Sequence, residues 1–152
     1  MIAYELEHLF TYSATLKPVE VVGEVPEGFR VNYWVTGGEV KGPRLNGKLL
    51  PVGADWLTIR RDGVAALDVR ISIRTDDDVL IDVVYPGLGD LGPDRYERII
   101  RGESPSRLKL CTTPRFRTAH PDYAWMHRNV CIGIGEVDFV RAEVIYDVYA
   151  IR

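Results

Sequence analysis

Long apolar runs are missing from this sequence. No stretch approaches the roughly 20 residues that a membrane-spanning helix needs, so no membrane partner is expected. The opening residues carry Glu5 and Glu7 and lack the apolar core of a secretory leader, so the expected location is cytoplasmic. Charge of one sign is missing too: 19 Lys and Arg are interspersed with 22 Asp and Glu for a net −3, and no basic face is offered to nucleic acid. Cysteine is scarce. Cys111 and Cys131 lack metal-site spacing and are expected as two buried thiols rather than a disulfide. His8, His120 and His127 are scattered, there is neither a GxSxG elbow nor an HExxH motif, and Asp76-Asp77-Asp78 lacks the ligand loop of a calcium site. No metal and no cofactor are therefore expected.

What is present is a β-protein. The 152 residues suffice for one domain with its own core. Thr36 to Trp56 (TGGEVKGPRLNGKLLPVGADW) holds five glycines and two prolines, a composition that cannot support a helix. It reads as a glycine-punctuated hairpin region, with short strands expected at Glu39 to Val40 and Gly47 to Leu50, that delivers Asp55 and Trp56 into a sheet.

Leu6 to Leu16 forms a first strand, with Phe10, Tyr12, Ala14 and Leu16 on one face. Lys17 to Gly28 reads as a loose extended connection, and Phe29 to Val35 as a strand. Asp62-Gly63 between the alternating runs Asp55 to Arg61 and Val64 to Thr75 predicts a hairpin, with positive φ at both turn positions. Within it Leu67, Val69, Ile71 and Ile73 face one way, and Asp68, Arg70, Ser72 and Arg74 the other. A turn at Thr75 to Asp78 leads into Val79 to Tyr85. Pro93 to Gly102 predicts the one helix, carrying Tyr96, Ile99 and Ile100 on one side. Strands are expected again at Arg107 to Cys111, Arg115 to Thr118, Tyr123 to Gly133 and Ala142 to Ile151. About nine short strands and one helix predict a mostly β fold: a single antiparallel, calycin-like barrel with the helix over an open end.

Two glycine patterns imitate phosphate sites. Gly42 to Leu49 has the glycines and lysine of a P-loop, but Leu49 replaces its hydroxyl and Pro51 blocks the following helix. Gly87-Leu88-Gly89-Asp90-Leu91-Gly92 is a formal GxGxxG, yet the repeated strand-helix-strand units of a dinucleotide fold are absent, and a barrel-rim loop is the plainer reading. If Tyr123 to Gly133 is a strand, Tyr123, Trp125, His127 and Asn129 share one face and either line a small-molecule pocket or belong to the core.

Several blocks together carry a resemblance: TGGxxxGPxLxGxxLPxGADW (Thr36 to Trp56), RxDG (Arg60 to Gly63), LDxR (Leu67 to Arg70), RTDD (Arg74 to Asp77), TTPRF (Thr112 to Phe116), YAW-x-x-R (Tyr123 to Arg128) and the closing strand at Ile145 to Tyr149. In that order, over essentially the whole chain, they resemble domain of unknown function 3237, also called uncharacterised protein family 0311. The resemblance implies a small β-barrel, often oligomeric, and carries the family pattern onto Asp55, Trp56, Asp68, Arg70, Thr113, Arg115, Tyr123, Trp125 and Arg128. The chain departs from the pattern at Asp78 (usually Gly), His127 (commonly Asn) and Cys111 (commonly Arg).

Three functions are compatible with these residues. In the first, the protein is a lyase, isomerase or cyclase on a small, mostly apolar carbonyl compound. Asp55, desolvated beside Trp56, moves a proton while Arg115 or Tyr123 steadies an oxyanion, and Trp56, Asp68, Arg70, Thr113, Trp125, His127 and Arg128 bind the ligand. In the second, the barrel is a carrier or sensor of a small apolar or aromatic molecule. In the third, its own side chains fill the lumen and it serves as a homo-oligomeric assembly module.

Overall fold

The computed structural model describes residues 1–152. Ten strands form one antiparallel sheet: β1 (Leu6–Leu16), β2 (Glu20–Val25), β3 (Gly28–Lys41), β4 (Gly47–Ile59), β5 (Val64–Thr75), β6 (Leu80–Asp90), β7 (Arg107–Thr112), β8 (Arg115–Arg117), β9 (Cys131–Asp138) and β10 (Glu143–Ile151). The order β1-β10-β9-β7-β6-β5-β4-β3 closes on itself through β1–β3 pairing, giving an eight-stranded barrel, while β2 extends from β3 and β8 from β6. The closed cylinder leaves no long unpaired edge. No helix is long and apolar enough to cross a membrane.

Closure depends on an unusually close approach. Gly38 pairs with Ala14, and a Cβ at Gly38 would sit 1.8 Å from the Ser13 carbonyl oxygen. Only glycine lets β1 and β3 meet there, which is why Thr36-Gly37-Gly38 continues β3 instead of ending it. The inner face is the period-two set that alternation selects: Leu67, Val69, Ile71 and Ile73 of β5 are all buried, as are Phe10, Tyr12 and Ala14 of β1.

Helix α1 (Arg95–Ile100) buries Tyr96 and packs Ile99 and Ile100 against the core. It lies over one end of the barrel. The Tyr96 hydroxyl donates to Glu24 of β2 at 2.9 Å, tying helix and edge strand together.

The structure corrects several sequence expectations. The connection after β1 contains a true strand, β2, whose Val21 and Val22 stay exposed; unburied valines leave no alternation to read. At the Asp62-Gly63 turn only Gly63 has positive φ, at 83°. Asp62 instead uses its carboxylate to accept the Val64 amide at 3.2 Å, so the turn is held by a side chain. The GxGxxG stretch is not a loop: Gly87 to Asp90 finish β6 and pair with β5. Cys131 is buried but Cys111 is exposed; both are free.

The largest difference lies at Tyr123 to Gly133. Pro121–Arg128 is a 3-10 helix, and only Cys131 onward is strand. Pro121 fixes the first turn, the His120 ring accepts from the Asp122 amide at 3.3 Å, and Asn129 Nδ2 closes the other end on the Trp125 carbonyl at 2.7 Å. Residues three apart share a face in such a helix, so Tyr123 and Met126 lie on one side, and Met126 is the residue the helix buries.

Candidate functional site

Asp55 enters the barrel because β4 alternates. Asp55, Leu57 and Ile59 point into the lumen, and Trp56 points out to pack edge-on against Trp34 at 5.9 Å. Across the sheet Asp55 pairs with Tyr33 of β3 and Val69 of β5. Its Oδ1 accepts the backbone N–H of Asp68 at 3.0 Å, taking the place of a main-chain acceptor in the β4–β5 ladder. Its Oδ2 has no protein partner. Asn32 Oδ1 is the one fully buried side-chain oxygen or nitrogen left unpaired, so Asp55 Oδ2 keeps access to the chamber in front of it.

That chamber has a cavity volume of about 50 Å3, and Asp55 is the only charged residue of the eighteen that line it. Tyr12, Tyr33, Tyr85 and Tyr146 supply its hydroxyls; the rest is aliphatic apart from Phe139. Tyr12 stacks on Tyr146 at 5.2 Å, Tyr85 meets Tyr146 edge-on at 5.9 Å, and the Tyr12 hydroxyl donates to that of Tyr85 at 2.7 Å. The Tyr146 hydroxyl has no partner at all.

The electrostatics follow from this apolar wall. Burial pushes the Asp55 carboxyl up from 3.8 to about 7; the Asp68 amide opposes this, the Asp68 carboxylate adds to it and Arg30 opposes it more weakly. Tyr33 is raised to about 12, by burial first and by the charge of Asp55 second. Tyr12, Tyr85 and Tyr146 are held well above the ordinary phenol value, again chiefly by burial, so all four remain protonated hydrogen-bond donors.

A second cavity of about 460 Å3 lies beyond the first, at the barrel end under α1. Tyr33, Leu57, Leu108 and Phe139 line both, and the rings of Tyr33 and Phe139 lie 6.0 Å apart at the junction. Ile99 and Ile100 of α1 roof the outer space, and its walls are mostly apolar.

Of the residues singled out from sequence, the lumen holds Asp55. Asp68 touches it through its backbone amide only, and the side chains of Asp68 and Arg70 lie on the exposed outer face with Trp56. Thr113, Arg115 and His127 come together elsewhere, in an open cleft of about 1170 Å3 between β8 and the 3-10 helix. There His127 Nε2 accepts the Thr118 amide at 3.1 Å. Tyr123 donates to Asp77 at 2.7 Å, and Trp125 lies under the guanidinium of Arg44 at 4.6 Å; both fasten the 3-10 helix to the barrel wall, and Arg128 is exposed. Arg115 and Tyr123 are thus placed outside the barrel, where neither meets Asp55. The residues that do surround it, Tyr12, Tyr33, Tyr85 and Tyr146, went unmarked because each sits on an apolar strand face that reads as core.

The family model described as "Protein of unknown function (DUF3237)" matches residues 4–151. The chain belongs to this family. A UPF0311 protein from Rhodopseudomonas palustris is 35% identical over 132 residues, covering 85% of this chain and 86% of the relative. The crystal structure of a conserved protein of unknown function from the same species superposes with a TM-score of 0.87 at 30% identity, with both chains covered completely. An enzyme from Penicillium herquei has the same fold with a TM-score of 0.73 over 100% of this chain and 97% of its own, at 18% identity. The barrel with its added strands is thus the architecture of a DUF3237 protein.

Proposed function

We propose that this DUF3237 protein is a proton-transfer enzyme that uses Asp55 as its base on a small, mostly apolar carbonyl compound, in the manner of a lyase, isomerase or cyclase. The observation that carries the reading is the free Oδ2 of Asp55, facing an apolar chamber whose other polar groups are tyrosine hydroxyls. A carboxyl poised near 7 matches the range in which a general base combines availability with basicity. The reaction balances simply. The carboxylate takes the proton from the carbon next to the carbonyl, the C–H electron pair becomes the carbon–carbon π bond, and the carbonyl oxygen takes the charge. In this reading Tyr146, with Tyr85 beside it, donates to that oxygen, the role that Arg115 or Tyr123 was expected to fill. The existence of an enzyme on the same barrel in Penicillium herquei is compatible with this reading and adds nothing on substrate.

The test needs no identified substrate, because abstraction alone exchanges α-protons for deuterium. Incubated with methyl ketones in D2O, the protein is expected to speed exchange, with kcat/KM flat above about pH 8 and falling about tenfold per pH unit below 6. Asp55→Asn is expected to lower it at least about 100-fold. Exchange that survives Asp55→Asn removes the base from the reading. Saturable ketone binding without any exchange makes the barrel a carrier, the role its apolar outer cavity would serve equally well.

A further inference from the structure

We infer that the substrate is bipartite: a carbonyl head of a few heavy atoms sits before Asp55, an apolar body of aromatic-ring size sits in the outer cavity under α1, and Tyr33 and Phe139 form the neck that sorts ligands between them. The inference rests on the function proposed above and goes beyond it in fixing substrate shape, entry route and the residues that set specificity.

Size makes the first argument. The chamber before Asp55 has about 50 Å3 against about 460 Å3 for the outer cavity, so the inner space takes the small end of a ligand and the outer space its bulk. The outer cavity of about 460 Å3 falls within the roughly 300–1,000 Å3 of small-molecule sites.

Adjacency makes the second. Tyr33, Leu57, Leu108 and Phe139 belong to the walls of both spaces, so the two are neighbours divided by side chains. Tyr33 and Phe139 are the two aromatics of that shared wall, their tilted rings 6.0 Å apart.

Chemistry makes the third. The outer wall brings Val31, Ile59, Leu91, Ile99 and Ile100 to one hollow, with no carboxylate among its residues. Such a surface rewards apolar area at about 25 cal/mol per Å2, and its few polar side chains are Lys17, Ser104 and the Tyr33 hydroxyl. Since the larger space lies at the α1 end and adjoins the chamber, the ligand enters from this end of the barrel. The cleft that holds Arg115 and His127 shares no lining residue with either space.

Three methyl ketones with one head and growing bodies test the inference: acetone, acetophenone and 2-acetonaphthone. In the wild-type protein, intermolecular NOEs are expected from the naphthyl protons of 2-acetonaphthone to the methyls of Ile99 and Ile100, and from its acetyl methyl to Leu67 and Val69. The exchange kcat/KM is expected to rise at least about tenfold from acetone to 2-acetonaphthone, which about 1.4 kcal/mol of added burial supplies. Phe139→Trp, which narrows the neck, is expected to reduce the ratio of 2-acetonaphthone to acetone exchange at least about tenfold. Naphthyl contacts anywhere else, or equal use of all three ketones, would overturn the bipartite site while Asp55-dependent exchange kept the proton-transfer reading intact. If no ketone exchanges, that reading fails, and the wild-type NOEs still decide the placement of head and body by themselves.

Discussion

Asp55→Asn is expected to raise the stability of the protein at pH 8 by about 2–3 kcal/mol even as it removes α-proton exchange. In the unfolded chain the carboxyl ionises near 3.8, and in the barrel burial holds it at about 7. Between those values the unfolded chain has released a proton that the folded chain keeps, so stability falls as pH rises through this window. Above it the ionised fold carries the full cost, on the order of 4 kcal/mol by linkage, reduced here because the Asp55 side chain is not wholly shielded from solvent. Asparagine has the same shape, its Oδ1 can still accept the Asp68 amide, and it never ionises. Thermal unfolding at pH 5 and pH 8 checks this: the wild type should lose stability between them relative to the variant, whose midpoint at pH 8 should be roughly 5–10 °C higher. A variant less stable than the wild type at pH 8 would show that the carboxylate is held by favourable bonds rather than strained by burial. A functional group that destabilises its own fold is a common cost of an active site.

Gly135→Ala is expected to destabilise the barrel by about 3 kcal/mol, the upper range for overpacking, and to suppress exchange with it. Gly135 pairs with Tyr146 across β9 and β10, and a Cβ there would lie 2.3 Å from Tyr146 Cδ1 and 2.4 Å from the Ile145 carbonyl oxygen. The ring has nowhere to retreat, since Tyr12 is stacked on it and Tyr85 meets it edge-on. The missing side chain at position 135 therefore sets where the Tyr146 hydroxyl stands in the chamber. Urea unfolding measures the cost. A loss below about 1 kcal/mol would mean that the tyrosine cluster yields easily, and that it does not hold a rigid donor over Asp55.

The fold was largely legible in the sequence. Leu6–Leu16 has the bounds that its alternation predicts, and the strict period of two in Leu67 to Arg74 gives the inner and outer faces of β5 directly. Asp55 was singled out as the carboxylate that follows the glycine-rich stretch, and the structure turns its side chain into the lumen. Its partners were not. Tyr12, Tyr85 and Tyr146 lie 61 to 134 residues apart from one another in sequence and meet only because the sheet closes, and alternation within one strand says nothing about which strand it faces. Family blocks such as TTPRF and YAW-x-x-R drew attention to Arg115 and Tyr123, which the structure uses on the outer wall. Tyr123 to Val130 misled for a physical reason: aromatic and alternating sequence suits a strand, but Pro121 and the caps at His120 and Asn129 wind it into a 3-10 helix. Asp55 and Trp56, adjacent in sequence, could never have lined one pocket, since neighbours on a strand face opposite ways.

The central claim is that Asp55 is a desolvated base inside the barrel, and the direct measurement is its own titration. The side-chain carboxyl carbon of Asp55, followed by 13C NMR from pH 3 to pH 9 and assigned by its loss in Asp55→Asn, is predicted to titrate at about 7. A midpoint below about 5, in the ordinary range of exposed aspartates, would contradict the account.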